Sequence, residues 1–208
     1  MNRKELAFIK KLSLCRDAVT WMKTQKTLQE AWENCDRPDW MTWALRHINF
    51  DDDRKLRLFA CQCVRETPLA DGRKVWDLLT DERSRKAVEA AEQFAEGKIS
   101  KDELNAYASA AYAYASSSAS YASAASSASY ASSAASYASY ASSAASYASY
   151  ASAASSASYA SSAASYASSA SYASAASSAA RKKQSELLRQ WISWDEVEVV
   201  ITKHTARS

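Results

Sequence analysis

Only two glycines and two prolines occur in 208 residues, and their scarcity removes several classes of function at once. There is no glycine-rich loop whose backbone N–H groups would cradle a phosphate, and the two histidines are not spaced as a metal-binding pair. Long apolar runs are missing too: no window approaches the roughly 20 apolar residues that a membrane-spanning helix needs. The opening stretch MNRKELAFIKKLSL alternates charged with apolar residues and lacks a continuous hydrophobic segment, so no signal peptide is expected and the expected location is cytoplasmic. An excess of one charge sign is absent as well. Twenty-six Lys and Arg face 23 Asp and Glu, interspersed, for a formal net charge of +3, which leaves no sustained basic footprint for nucleic acid. The short basic clusters, Arg3, Lys4, Lys10 and Lys11, then Arg181, Lys182 and Lys183, read as solvated helix ends. The expected partners therefore include neither nucleic acid nor membrane.

Cysteine is sparse: Cys15, Cys35, Cys61 and Cys63. In a reducing compartment four cysteines are not a disulfide framework. The Cys61, Cys63 pair has one intervening residue where a zinc ligand pair usually has two to four, so a metal site with His47 is the weaker reading and buried structural cysteine the stronger. On a helix Cys61 and Cys63 lie about 200° apart, which argues against a paired-thiol active site.

What is present divides into three parts: residues 1–105, 106–180 and 181–208. The middle part is written in Ala, Ser and Tyr alone; it holds every tyrosine of the chain and no charged residue. The flanks read as helix after helix. A capping-box pattern opens one at Thr27 and Glu30, and Pro38 suits the first position of the next, whose face carries Trp40, Trp43, Ala44 and His47. In DDDRKLRLFACQCVRE, Leu56, Phe59, Ala60, Cys63 and Val64 form an apolar stripe behind a solvated acidic start. A turn at residues 68–72 precedes a short helix with Trp76 and Leu79. A longer helix follows with Ala87, Val88, Ala91, Phe94 and Ala95 inward, ion pairs Glu82–Lys86 and Arg85–Glu89 outward, and Gly97 at its left-handed end. A second capping box, Ser100 with Glu103, launches a helix directly into the tract. Beyond the tract, Leu187, Leu188 and Trp191 resume an apolar face. Ser193 with Glu196 suits a further cap, although VEVVIT over 197–202 suits a strand equally.

The clearest part of the tract, between Tyr137 and Tyr150, repeats YAS, YAS, SAAS every ten residues. Alanine then recurs about every 3.3 residues, against 3.6 per helical turn, so the stripe drifts about 80° around a straight helix in each repeat. Alanine richness and the lack of β-branched residues favour helix. A β-solenoid with stacked tyrosines and disorder are the alternatives. A single straight helix would be roughly 110 Å long and would carry the C-terminal amphipathic segment far from the first domain. Either the tract folds back or the C-terminal segment docks on another chain. Exposed phenol rings point to self-association, with Tyr130, Tyr137, Tyr140, Tyr147, Tyr150, Tyr159, Tyr166, Leu187, Leu188, Trp191 and Trp194 as candidate contacts. The expected fold is all-α: a helical bundle continuing into a repeat helix, then a short amphipathic helix.

The segments AWENCDRPDWMTW and RKLRLFACQCVRETPLADGRKVWDLLTDERSRKAVEAAEQFAEGKISKDEL, with the alanine-rich continuation, resemble the immunity-protein-5-like family of bacterial toxin loci and phages over about residues 28–115. The resemblance implies an α-helical protein that acts by binding a partner, and it supplies no catalytic residue. Relatives carry charged residues and Trp where this tract has Ser and Tyr. The sequence thus points to a non-enzymatic protein-binding module with a self-associating tract, needing no metal or cofactor. The alternative is a structural, fibre-forming protein or one with an ice-binding-like repeat surface. An enzyme is the weakest reading, because the tract's many serines have no general base among them.

Overall fold

The structure, a computed structural model, describes residues 1–69, 71–124 and 174–206. Among these residues the regular elements are all helical. They are α1 (Arg3–Lys11), α2 (Arg16–Met22), α3 (Leu28–Asn34), α4 (Pro38–His47), α5 (Asp53–Glu66), a 3-10 helix (Val75–Leu78), α6 (Glu82–Ala95), α7 (Lys101–Ala124), α8 (Ser174–Trp191) and α9 (Trp194–Ala206).

Local chemistry sets the boundaries. Pro38 takes the first position of α4, and the Asp52 side chain accepts from Lys55 N at 2.9 Å to start α5. α6 ends in a Schellman arrangement: Lys98 N donates to Gln93 O at 2.8 Å, Gly97 N donates to Phe94 O at 3.0 Å, and Gly97 sits at φ +73°. The Ser100–Glu103 box closes in both directions, with Ser100 N donating to Glu103 Oε2 at 2.8 Å and Glu103 N to Ser100 Oγ at 3.2 Å. Thr27 caps α3 through Glu30 N at 3.0 Å, but the Glu30 carboxylate accepts from Lys26 N instead of from Thr27. An unforeseen box, Asn2 with Glu5, starts α1. The second Glu5 oxygen accepts from Leu28 N at 3.0 Å, so one carboxylate fixes α1 against the start of α3.

α5 is the axis of the core. Its predicted stripe, Leu56, Phe59, Ala60, Cys63 and Val64, is fully buried. Arg57, Leu58 and Cys61 on its other side are buried as well, because α6, α8 and the 3-10 helix pack around it. Cys61 Sγ points at Val88 O of α6, 3.8 Å away, while Cys63 belongs to the opposite face. The α5–α6 contact is stitched by Arg65, whose Nε and Nη2 donate to the two Glu92 oxygens at 2.6 and 2.7 Å. Arg65 also stacks 4.2 Å from the Trp76 ring centroid. The ion pair expected of Arg85 with Glu89 gives way to Arg85 lying 5.5 Å over that same ring. Glu82–Lys86 forms as expected, at 2.9 Å.

In α4 the face that enters the core is Pro38, Met41, Thr42 and Leu45, continued by Ile48, while on the face that carries Trp40, Trp43, Ala44 and His47, Trp40 is partly buried against that core. Trp43 stays 40% exposed, with its Nε1 donating to Leu12 O at 3.2 Å and its ring stacked on His47 at 4.4 Å. An amphipathic indole is satisfied at a surface as an aliphatic side chain is not, so the aliphatic spacing decides the orientation.

The C-terminal segment packs on the N-terminal helices of its own chain. α8 packs along α5 and α4, and its Ala180, Gln184, Leu187 and Leu188, with Ile192 just beyond it, are buried in the common core. Residues 194–206 are helix, which resolves the helix-or-strand ambiguity over 197–202. The Ser193–Glu196 box forms, with Ser193 N donating to Glu196 Oε2 at 3.1 Å. Both ends of the Ala/Ser/Tyr tract are helical: Leu104, Ala108 and Ala111 of α7 pack on α6, and the chain re-enters the bundle along α8. The bundle therefore draws on all three sequence segments. The repeat between Tyr137 and Tyr150, and the candidates Tyr130, Tyr137, Tyr140, Tyr147, Tyr150, Tyr159 and Tyr166, lie outside the described residues.

Candidate binding pocket

The N-terminal helices leave an apolar pocket at one end of the bundle. α1 contributes Phe8, α2 Trp21 and Met22, α3 Trp32, α4 Trp40 and Met41, and α9 closes one side with Trp194, Val197 and Ile201. The enclosed space is about 80 Å3 and opens to solvent on one side. Each wall has a local reason. Trp32 and Ala31 lie on the buried face of α3, and on α9 the residues Trp194, Val197 and Ile201 follow three-and-four spacing, so the helix lays one apolar edge across the opening.

Few polar atoms reach these walls, and most are engaged. The Cys35 thiol donates to Arg37 O at 3.5 Å; burial pushes its pKa up to about 11, so it is a neutral thiol in physiological solution. Arg37 is held by Asp39, with Nε to Oδ1 at 2.9 Å and Nη2 to Oδ2 at 2.7 Å, and that hydrogen-bonded partner raises its already high pKa. The same guanidinium stacks 4.5 Å over Trp40, which in turn tilts against Trp21 at 5.9 Å. Behind the wall, Arg189 of α8 reaches across the bundle to the end of α3. Its Nη1 donates to Trp32 O at 3.2 Å and Cys35 O at 2.8 Å, placing a cation on the carbonyl end of that helix. One donor is left over. Trp32 Nε1 is buried with no acceptor among the described residues, an arrangement that costs about 1–3 kcal/mol when nothing fills the place.

The predicted site residues fare unevenly. Leu187 and Leu188 are 2% and 0% exposed in the core of their own bundle, so they are corrected from self-association contacts to core residues. A side chain buried against α5 has no area left to offer a second chain. Trp191 and Trp194 are half-buried against the same core, and Trp194 doubles as pocket wall. The metal reading of the cysteines with His47 finds its members dispersed. Cys15 is exposed, Cys61 faces Val88 O, and His47 Nδ1 lies 2.9 Å from Trp43 O. Among the described residues no three His, Cys, Asp or Glu side chains converge as metal ligands, and no helix is long and apolar enough to cross a membrane. Sequence reasoning does not find the pocket itself. Its only signal there is the concentration of tryptophan before Phe50: Trp21, Trp32, Trp40 and Trp43 are four of the seven in the chain.

The lining is apolar and aromatic apart from Cys35, with no Asp, Glu, His, Lys or Arg among the described residues that form it. Comparison of the chain with protein-family models, curated proteins and solved structures finds no match.

Proposed function

We propose that this chain is a non-enzymatic protein-binding module, immunity-like in mode of action, whose bundle receives an apolar side chain of a partner in the tryptophan-walled pocket and whose repeat tract joins copies of the chain. The observation that carries the reading is the pocket. Three tryptophans line it from separate N-terminal helices, a fourth comes from α9, and an arginine stacks on its rim. Tryptophan and arginine around an apolar cavity are the composition of binding hot spots.

Ala44 lies half-buried in the pocket wall, so Ala44→Phe fills the opening from a position that does not support the core. Wild type and Ala44→Phe are immobilised side by side and exposed to extract from the native host, with circular dichroism to check folding. One protein captured stoichiometrically by wild type and lost with Ala44→Phe supports the proposal. Capture that the substitution leaves unchanged, or no capture, refutes it. Filaments in electron micrographs of a preparation that captures nothing would move the chain to the structural class.

A further inference from the structure

We infer that the C-terminal end of α4 carries a second recognition site, an open cleft that takes a flat aromatic ring bearing a carboxylate. This goes beyond the binding reading above and does not depend on it. Trp43, Arg46, His47 and Asn49 line the cleft, whose volume is about 310 Å3. That is about twice the ~150 Å3 of a cavity known to hold benzene, which leaves room for a substituent beyond the ring.

The ring half of the inference comes from Trp43. Its side chain is 40% exposed and yet fixed: Nε1 donates to Leu12 O at 3.2 Å, and the ring stacks on His47 with centroids 4.4 Å apart and planes inclined at 32°. His47 is held in turn. The Trp43 carbonyl can only accept, so Nδ1 of His47, 2.9 Å from it, carries the proton there. An exposed aromatic pair whose orientation is already set offers ring contact at little cost in ordering.

The carboxylate half comes from the polar groups. A helix C-terminus ordinarily presents free carbonyls that repel an anion. Here they are engaged: Trp43 O by His47 Nδ1, Ala44 O by Ile48 N at 3.1 Å, Leu45 O by Phe50 N at 3.0 Å and Arg46 O by Asn49 N at 3.2 Å. Asn49, at φ +55°, makes the left-handed turn that closes the last two bonds. What the cleft still offers is a cation and an amide, because the Arg46 and Asn49 side chains have no hydrogen-bond partner or ion pair among the described residues. No carboxylate lines the cleft, and Asp51 and Asp52, next along the chain, lie outside the lining. A guanidinium fork matches the two oxygens of a carboxylate, whereas a phosphate near −2 brings more charge than one guanidinium meets.

The test titrates trans-cinnamate and its uncharged amide, cinnamamide, into the full chain by calorimetry, while NMR follows the indole N–H resonances. Saturable 1:1 binding of cinnamate, about fivefold tighter than the amide as an exposed ion pair gives, with the largest shift at Trp43, supports the inference. Arg46→Gln, a change at an exposed side chain, should bring cinnamate down to the affinity of the amide. Trp43→Ala should weaken both. No saturable binding, equal affinity for acid and amide, or a largest shift at another tryptophan overturns the inference, and these outcomes are read on wild type, whatever the folding of a variant. A preference for the acid that survives Arg46→Gln overturns it as well. If cinnamate fails while Ala44→Phe still releases a captured protein, the α4 site falls and the binding-module reading stands.

Discussion

Arg189 shows how much one side chain can decide. It lies on α8, yet it satisfies the carbonyls of Trp32 and Cys35 at the end of α3, more than 150 residues earlier in the chain. The contact fixes the position of the Trp32 backbone, and with it one wall of the pocket. Arg189→Met keeps most of the apolar stem and removes the donors, leaving two inward carbonyls without their charged partner. The expected cost is about 2–3 kcal/mol, read as a lower urea midpoint with an unchanged slope. A change within about 0.5 kcal/mol would mean that solvent reaches those carbonyls, and the assigned role would fail. No sequence pattern announces such a contact. Arg189 reads locally as a basic residue in the last turn of its own helix, and its actual partners are visible only once α8 lies across α3.

Elements are legible in the sequence to the extent that their determinants are local. Gly97, Pro38 and the Ser100–Glu103 and Ser193–Glu196 boxes act within three or four residues, and each appears in the structure where its spacing places it. The face of α4 is harder to read, because its apolar bulk lies in the tryptophans while Met41, Leu45 and Ile48 enter the core. Gln184 reads as a polar position, yet it is fully buried and donates to Thr67 Oγ1 at 2.9 Å, a partner 117 residues away. α9 combines local and distant determinants in one carboxylate: Glu196 caps its own helix through Ser193 and also pairs with Lys55 of α5. The Lys55 hydrogen bond is the main reason that its pKa is depressed. A group with a depressed folded pKa stabilises above its unfolded value, about 4.3, and that contribution is lost as pH falls through the folded value. Wild type should therefore loosen α9 below about pH 4.3, seen as a shift in tryptophan emission with faster amide exchange over residues 194–206. Glu196→Gln should be looser at neutral pH and show a smaller acid-dependent change. Identical acid profiles for the two proteins would remove the Lys55 pair as the latch of α9.

At the scale of the molecule, the division into 1–105, 106–180 and 181–208 describes composition, and the core does not respect it. Leu187, Leu188 and Ile192 lie among residues of α4 and α5, and Ala108 and Ala111 complete the packing on α6. Burying three such aliphatic side chains contributes roughly 5–9 kcal/mol, comparable with the roughly 5–15 kcal/mol of net stability of a whole domain. A fragment of residues 1–105 lacks that contribution and exposes the matching surface of α5, so it should not unfold cooperatively and should show reduced helical signal in circular dichroism. Adding a peptide of residues 174–206 should restore much of both, because apart from Ala108 and Ala111 on α6 the missing contacts are the packing of α8 and α9 and the Arg189 and Lys55 links, none of which requires a continuous chain. The same peptide with Leu188→Ala should restore much less, given a cost of about 2–5 kcal/mol for a cavity at a fully buried leucine. Cooperative unfolding of the 1–105 fragment alone would make it an autonomous domain with α8 and α9 as accessories. Complementation would instead mean that the helices flanking the tyrosine tract are parts of one fold, holding the tract at both ends on the body that carries the pocket.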